Sequence, residues 1–460
     1  MNQKISSSSR ETLAFFILSI ASIISFISLL AINIDSQMTI GVLLFGIAIA
    51  ITALAPQVGL YVMAFFIPVV GWEIAVGKLD FQFIDFISLI VLIGFYIRVI
   101  YLYLFSKSKQ SILKFPVFLP FIFFFISTIV SSFLSPTILD SAWYAFRGII
   151  FFYLVYVSMP YSVVTSFDIL KKAIIFLGLA GVITAGLGLS TLFYQYINND
   201  FFRVQGIMLF NIYPLGFNHN LLAEYFLVVN FFVLALIYWT KSLSLRRILY
   251  IIFIFISLAG IMTLARTAWI VFAIQIGIFL YIRKTNTVKT LITLFIGVVL
   301  LTPLILKMDK LQDRNYSSTD SRLLLTEIAW KSFLEKPVFG AGTGRFLYEV
   351  DNNIRYRAKY GEAQDSHGVW QKILLENGLF GVITFATIIV IIFRLIFKAV
   401  KKYPAYQDLL LPLAIGSLGG FLYQVFNTSY YKGKVWLPIA LTLTCVKLIE
   451  LKEKHESEKN

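Results

Sequence analysis

Residues 220–239, NLLAEYFLVVNFFVLALIYW, decide the class of fold. The length of this stretch matches the roughly 20 mostly apolar residues that a transmembrane helix needs. Comparable runs recur from Thr12 to Ile449, and 59% of the 460 residues are hydrophobic whereas 14% are charged. Because a soluble domain has about 25% charged residues, the sequence predicts a chain embedded in a membrane nearly throughout.

The apolar runs predict fourteen membrane spans. Their ranges are 13–34, 39–55, 57–76, 83–105, 116–134, 142–159, 170–194, 220–239, 247–264, 267–282, 288–306, 378–397, 408–428 and 433–449. Only Pro56 separates the second run from the third, so these two could form a re-entrant pair and leave twelve spans. The expected fold class is therefore all-α, a polytopic membrane helix bundle of about 12–14 transmembrane helices with one large helical outer loop.

The distribution of Lys and Arg predicts the orientation, since basic residues are concentrated in cytoplasmic loops. With both termini cytoplasmic, the inner segments hold 20 basic residues and the short outer segments hold 5. The same rule explains the net charge of +15 without any nucleic-acid partner. The first run is longer than the roughly 7–15-residue core of a signal peptide, so we interpret it as a retained span.

One long outer segment, about residues 307–377, is patterned like a folded unit. Ser318 and Thr319 can cap a helix with apolar positions that would let it lie on the membrane surface. Those positions are Leu325, Ile328, Ala329 and Phe333. The glycine-rich stretch 340–344 follows no strand, so it predicts a flexible turn and not a nucleotide-binding loop. A second helix is expected from about Asp365 to just before Gly378.

The polar groups near the outer face are the candidates for chemistry, because such groups are expensive in an apolar bundle. They are Arg147, Arg203, Asn218, His219, Asn220, Glu224, Arg266, Arg322 and His367. His367 opens the second loop helix, where the helix N-terminus would keep the imidazole neutral and able to act as a general base. Guanidinium groups bind phosphate bidentately, so Arg147, Arg203 and Arg266 suit a diphosphate at the membrane surface.

Simpler interpretations of the same residues remain open. Arginines at helix ends often only anchor the helix, and interfacial Asn or His often only cap one. The sequence has no Cys/His cluster for zinc and no acidic cluster for a divalent metal in an outer loop, so we expect chemistry without metal or cofactor.

From about Phe202 to Phe393 the sequence resembles the O-antigen ligase and O-antigen polymerase family of bacterial polytopic membrane glycosyltransferases. Four segments carry the resemblance: Arg203–Gly206 with Asn218–Ala223, Thr263–Trp269, Ser321–Gly342 with its Arg, Trp, Pro and Gly, and His367–Gly381 with Glu376. One position departs from the family, which often has Asn directly after the His, whereas this chain has Gly368.

The resemblance implies a bundle like that of the GT-C glycosyltransferases in the bacterial inner membrane, with its active face periplasmic. The donor would be an undecaprenyl-diphosphate-linked oligosaccharide or polysaccharide, transferred with inversion to a sugar hydroxyl. By position, Arg203 and Arg266 would bind the diphosphate, and His367 would activate the acceptor. Arg147, Asn218, His219, Asn220, Arg322 and Glu376 would contribute to substrate binding, with Arg322 and Glu376 mainly supporting the loop.

The resemblance also implies three regions: a transmembrane bundle (1–199), a catalytic region (200–395) and C-terminal helices with a charged tail (396–460). Either lipid A-core (a ligase) or a growing lipid-linked glycan (a polymerase) could be the acceptor, and we favour the ligase. A lipid-linked sugar flippase is an alternative of another class, but the expected symmetry of transporter halves is missing from the sequence. A peptidoglycan-type polymerase would need a catalytic Asp, for which Asp365 is the candidate.

Overall fold

The computed structural model describes residues 36–76, 79–105, 113–197, 203–284, 318–428 and 430–458. Its helices, in chain order, are α1 (Ser36–Leu54), α2 (Pro56–Phe66), α3 (Phe83–Phe105), α4 (Phe118–Phe133), α5 (Ile138–Val163), α6 (Phe167–Ile197), α7 (His219–Trp239), α8 (Leu243–Met262), α9 (Arg266–Ile282), α10 (Ser318–Glu335), α11 (Phe346–Asp351), α12 (Ile354–Tyr360), α13 (Val369–Lys402), α14 (Gln407–Tyr423) and α15 (Gly433–Ser457). Two short strands, β1 (Glu73–Val76) and β2 (Leu79–Gln82), form an antiparallel hairpin that the sequence did not predict. The fold is an all-α polytopic membrane bundle.

Within the described residues, seven helices are long and apolar enough to cross a membrane. They are α3, α5, α6, α7, α8, α13 and the segment Pro404–Phe426 that contains α14. The helices around Pro56 pass the same test together but are bent by 117°, in agreement with the predicted re-entrant pair. The predicted runs within the described residues coincide with helices, except that the run 57–76 is helical only to Phe66 and ends in strand β1. The runs at 13–34 and 288–306 lie outside those residues.

Helix α7 lies at the centre of the bundle. Within the protein, 83% of its membrane-spanning part is buried, whereas for α8 the share is 11%. Helix α14 packs closely against α7. A Cβ added to Gly416 of α14 would stand only 3.0 Å from the carbonyl oxygen of Val228 of α7. Small residues of this kind let membrane helices pack backbone against backbone. The buried Gln275 amide of α9 donates to the carbonyl oxygens of Leu227 (3.1 Å) and Ile415 (2.9 Å) and joins the three helices.

The large outer loop folds onto the start of α13. The predicted apolar positions Leu325, Ile328 and Ala329 of α10 are buried in a cluster with Tyr356 and Leu375. The expectation that this stripe lies on the membrane is therefore wrong. Burial against a neighbouring element removes the same apolar surface from water as contact with lipid would, so sequence periodicity alone could not separate the two.

Helix α13 is broken at Gly378, where φ is +63°. Glycine adopts this left-handed conformation without the steric cost that a Cβ brings. The backbone N–H groups of Leu379 and Phe380 donate to the carbonyl oxygens of Pro337 (2.9 Å) and Val338 (3.1 Å). The loop thus satisfies donors that a helix start leaves unpaired. The predicted loop helix ending before Gly378 is present, and the membrane helix follows from it directly.

The glycine-rich stretch 340–344 is a packed turn and not the flexible one that was expected. The backbone N–H groups of Ala341 and Gly342 donate to the carbonyl oxygens of Leu375 (2.8 Å) and Glu376 (3.1 Å). A Cβ on Gly340 would lie 2.5 Å from the backbone of Glu376. The glycines are therefore needed for close approach to α13.

Candidate active site

The loop that begins at Arg203 is held between α6 and α8. The N–H of Arg203 donates to the side-chain oxygen of Gln195 (2.8 Å), and the N–H of Val204 donates to the carbonyl of Met262 (2.8 Å). A Cβ on Gly206 would overlap the backbone of Gly216, which accounts for the glycine of the Arg-x-x-Gly motif. The Arg203 loop therefore lies against the end of α8.

Arg266 is the first residue of α9 and follows a tight turn after α8. In this turn Leu264 has φ of +55°, and the indole N–H of Trp269 donates to the carbonyl of Ile261 (3.1 Å). Because Val204 bonds to Met262, the two arginine-bearing segments are neighbours.

The start of α7 lies at the same end of the bundle. Asn218 is the N-cap of α7, and its side-chain oxygen accepts from the N–H of Asn220 (2.9 Å). The side-chain oxygen of Asn220 in turn accepts from the hydroxyl of Tyr423 (3.2 Å). Asn218 thus has the capping role that its residue type favours.

Arg322 connects two histidines that are far apart in sequence. The imidazole of His219 lies within electrostatic reach of both Arg203 and Arg322, and His367 lies within reach of Arg322. The buried Nε of Arg322 has no hydrogen-bond partner among the described residues. A buried, unsatisfied cationic donor is costly, so it indicates a place where an anion can bind.

The half-buried His367 lies just before the N-cap of α13, Gly368. Burial and the Arg322 guanidinium lower the pKa of His367, although the Asp365 carboxylate acts in the opposite direction. The sequence predicts a neutral imidazole from the helix terminus, whereas the causes that lower the pKa in the structure are burial and the Arg322 guanidinium. Burial also lowers the pKa of Arg203, whose charge is partly withdrawn from water.

A polar network that the sequence did not reveal holds the His367 loop. The carboxylate of Glu224, almost fully buried, pairs with Lys434 (2.6 Å) and accepts from the amides of Gln424 (2.7 Å) and Asn427 (2.8 Å). The hydroxyl of Thr428 then donates to the carbonyl of Ser366, the residue before His367 (2.9 Å). The charged Glu224 inside an apolar run was the one sequence signal of this network, but its partners lie about 200 residues further along the chain.

Arg147 and Glu376 lie in an adjacent pocket with Lys372. Arg147 pairs with the carboxylate of Asp85 (3.1 Å). The buried Glu376 carboxylate accepts from the N–H of Phe346 in the outer loop (3.3 Å). Arg147 thus has a charged partner of its own, and its predicted role with Arg203 and Arg266 in binding a diphosphate stays a prediction.

No metal centre can be assigned from this geometry. Within the part of the chain that the structure describes, no group of three or more His, Cys, Asp or Glu side chains is placed to hold a metal ion. Reaction without a metal stays a prediction.

The bundle and the charged cluster at one end of its helices define a multi-pass membrane protein with a site assembled from several helix termini. Residues 251–386 match the family model described as O-Antigen ligase, and this part of the chain belongs to that family. The match includes Arg266, Arg322, His367 and Glu376, whereas Arg203 and the start of α7 precede it. No curated protein matches the chain. This match supports a membrane glycosyltransferase of the O-antigen ligase and polymerase kind.

Proposed function

We propose that this protein transfers a glycan from undecaprenyl diphosphate to a hydroxyl of lipid A-core, acting as an O-antigen ligase. The carrying observation is the position of Arg322 within electrostatic reach of both His219 and His367, with Arg203 also near His219. Cationic groups and a base beside one another are what transfer from a diphosphate needs. The proposed setting is the inner membrane, with the site periplasmic and both termini cytoplasmic.

In the proposed reaction the cationic groups bind the leaving group. Arg203 and Arg266 hold the diphosphate and stabilise the negative charge that develops as the bond between the anomeric carbon and the phosphate oxygen breaks. Arg322, whose buried Nε has no partner among the described residues, adds a third guanidinium. The products are undecaprenyl diphosphate and the extended acceptor.

His367 is the proposed general base. Its neutral imidazole takes the proton from the acceptor hydroxyl while the oxygen attacks the anomeric carbon. Attack from the face opposite the diphosphate inverts the anomeric centre. The lowered pKa of His367 keeps the base unprotonated at neutral pH.

Purified protein given lipid-linked oligosaccharide, with lipid A-core or with no second acceptor, tests this function. We expect product only when lipid A-core is present; chain extension without it would instead identify a polymerase, and no transfer to either would oppose the proposal. His367→Ala and Arg266→Ala should each abolish transfer with normal membrane insertion. His455→Ala is the matched control, because His455 is exposed in the C-terminal tail.

A further inference from the structure

Helix α10 has a second apolar face, on the side opposite the stripe that packs into the outer loop. On this face Leu323, Trp330 and Leu334 are 64%, 55% and 61% exposed. At 3.6 residues per turn, the three positions lie within about 40° of one another around the helix axis. The buried Leu325 lies on the opposite side of the same helix. The helix is therefore apolar on two sides, and one of them is exposed.

The exposed face continues into the outer surface of the membrane helix α13. Just after α10, the carbonyl oxygen of Val338 accepts from the N–H of Phe380, which follows the break in α13 (3.1 Å). The rings of Phe339 and Phe380 are 5.5 Å apart. Val338 is exposed, as are Leu379 and Ile383 of α13, a helix that is long and apolar enough to span a membrane. The end of α10 therefore lies where α13 begins to contact lipid.

The residue types on this part of α10 suit the boundary between lipid and water. Tryptophan is enriched at membrane interfaces, and the rings of Trp330 and Phe333 are 5.3 Å apart. Residues 331–336 also hold two exposed lysines, Lys331 and Lys336, and one carboxylate, Glu335. Lysine side chains beside an apolar face extend their ammonium groups towards lipid phosphates. The segment thus combines apolar anchors with a small excess of positive charge.

We propose that the face of Leu323, Trp330 and Leu334 lies in the outer leaflet and anchors the outer loop to the lipid bilayer. Interfacial helices bury an apolar face about 5–10 Å into the boundary between head groups and acyl chains. This face is not the stripe that the sequence predicted, because that stripe is buried in the loop.

The anchor also fixes the depth of Arg322. This residue precedes Leu323 on α10, so a helix held in the interface keeps the guanidinium close to the membrane surface. The diphosphate of a lipid-linked donor lies at that same depth. This consequence rests on the proposed function, whereas the anchoring itself does not.

Spin labelling of the full-length protein in vesicles of phosphatidylethanolamine and phosphatidylglycerol tests the anchor. One nitroxide is attached at Leu334→Cys, and the control is attached at Glu362→Cys, since Glu362 is exposed on the same outer loop. The native Cys445 is fully buried and gives little background. Collisions with O₂, which concentrates in the bilayer, are compared with collisions with a nickel chelate that stays in water.

We expect the ratio of O₂ collisions to chelate collisions to be at least about fivefold higher at Leu334→Cys than at Glu362→Cys. Leu323→Cys places a second label at the other end of the same face and should give the same high ratio. Equal ratios at Leu334→Cys and Glu362→Cys would place the face in water and overturn the proposal. Low collision rates with both reagents at Leu334→Cys would also overturn it, because they would place the face against protein.

Failure of the anchor is distinguishable from failure of the proposed function. The collision measurement needs no substrate and reports only where α10 lies. A wild-type protein that transfers no glycan would contradict the proposed function even where the ratio is high. A low ratio in a protein that transfers glycan normally would contradict the anchor alone.

Discussion

The carbonyl oxygen of Val425 lies 2.7 Å from the point where a Cβ on Gly368 would stand. Gly368 follows the proposed base, and its φ of −162° is ordinary extended backbone that any residue can adopt. Space, and not conformation, therefore requires glycine here. The short turn after α14 leaves no room for a larger side chain at this position.

Substituting Gly368 should accordingly disturb the His367 loop. We expect Gly368→Ala to lower kcat for transfer at least tenfold and Gly368→Asn to lower it further, because the backbone of Val425 must move. Gly186→Ala makes the same change where space is open and should retain wild-type activity. Equal activity of the Gly368 and Gly186 variants would contradict the packing argument.

The pH dependence of transfer should depend on the charge of Arg322, because that charge lowers the pKa of His367. Burial and Arg322 lower the pKa of His367, so the neutral base persists to a lower pH than the ordinary value of about 6.5 would allow. Activity should therefore be lost on the acid side only below that value. In Arg322→Gln we expect the acid limb of kcat/KM to move to higher pH, since a repelling cation is gone.

Arg355→Gln provides the control for this measurement. Arg355 is on the same outer loop, but it is exposed and pairs with Glu327 (3.2 Å). The acid limb of the kcat/KM profile of Arg355→Gln should coincide with that of the wild type. A shift of the limb to lower pH in Arg322→Gln would show that Arg322 does not act on the base as described.

The buried pair of Glu224 and Lys434 should behave as a unit. Removing one partner leaves a buried charge without compensation, which costs about 3–5 kcal/mol in other proteins. We therefore expect Glu224→Gln and Lys434→Met each to lower the Tm in detergent strongly, and the double variant to be more stable than either. A double variant with the sum of both losses would exclude this coupling.

The orientation of the bundle can be tested by cysteine labelling. The one native cysteine, Cys445, is fully buried and should give little background. Glu362→Cys in the outer loop should react with a membrane-impermeant maleimide in spheroplasts, whereas His455→Cys in the tail should react only after permeabilisation. The reverse pattern would invert the topology predicted from the basic residues.

Removal of divalent cations should leave the rate of transfer unchanged. The proposed scheme stabilises the leaving diphosphate with guanidinium groups, which stay charged at any physiological pH. The comparison is turnover with and without EDTA, using wild-type protein. A requirement for Mg²⁺ would count against stabilisation by Arg203 and Arg266.

The sequence by itself determined the membrane bundle and the approximate positions of most helices, because apolar length and helix-ending residues act locally. Gly378 illustrates this: it marks the end of the loop helix in both the sequence and the structure. The sequence also supplied His367, Arg203 and Arg322 as candidates, since polar groups in an apolar chain are few.

Only the tertiary structure decided which of these groups meet and how their charges are balanced. The sequence favours Arg147 as a phosphate ligand, but in the structure its guanidinium pairs with the carboxylate of Asp85 (3.1 Å). Glu224 and Lys434 lie 210 positions apart and still form a 2.6 Å ion pair. Electrostatic attraction depends on distance through space, so partners brought together by helix packing leave no spacing pattern along the chain.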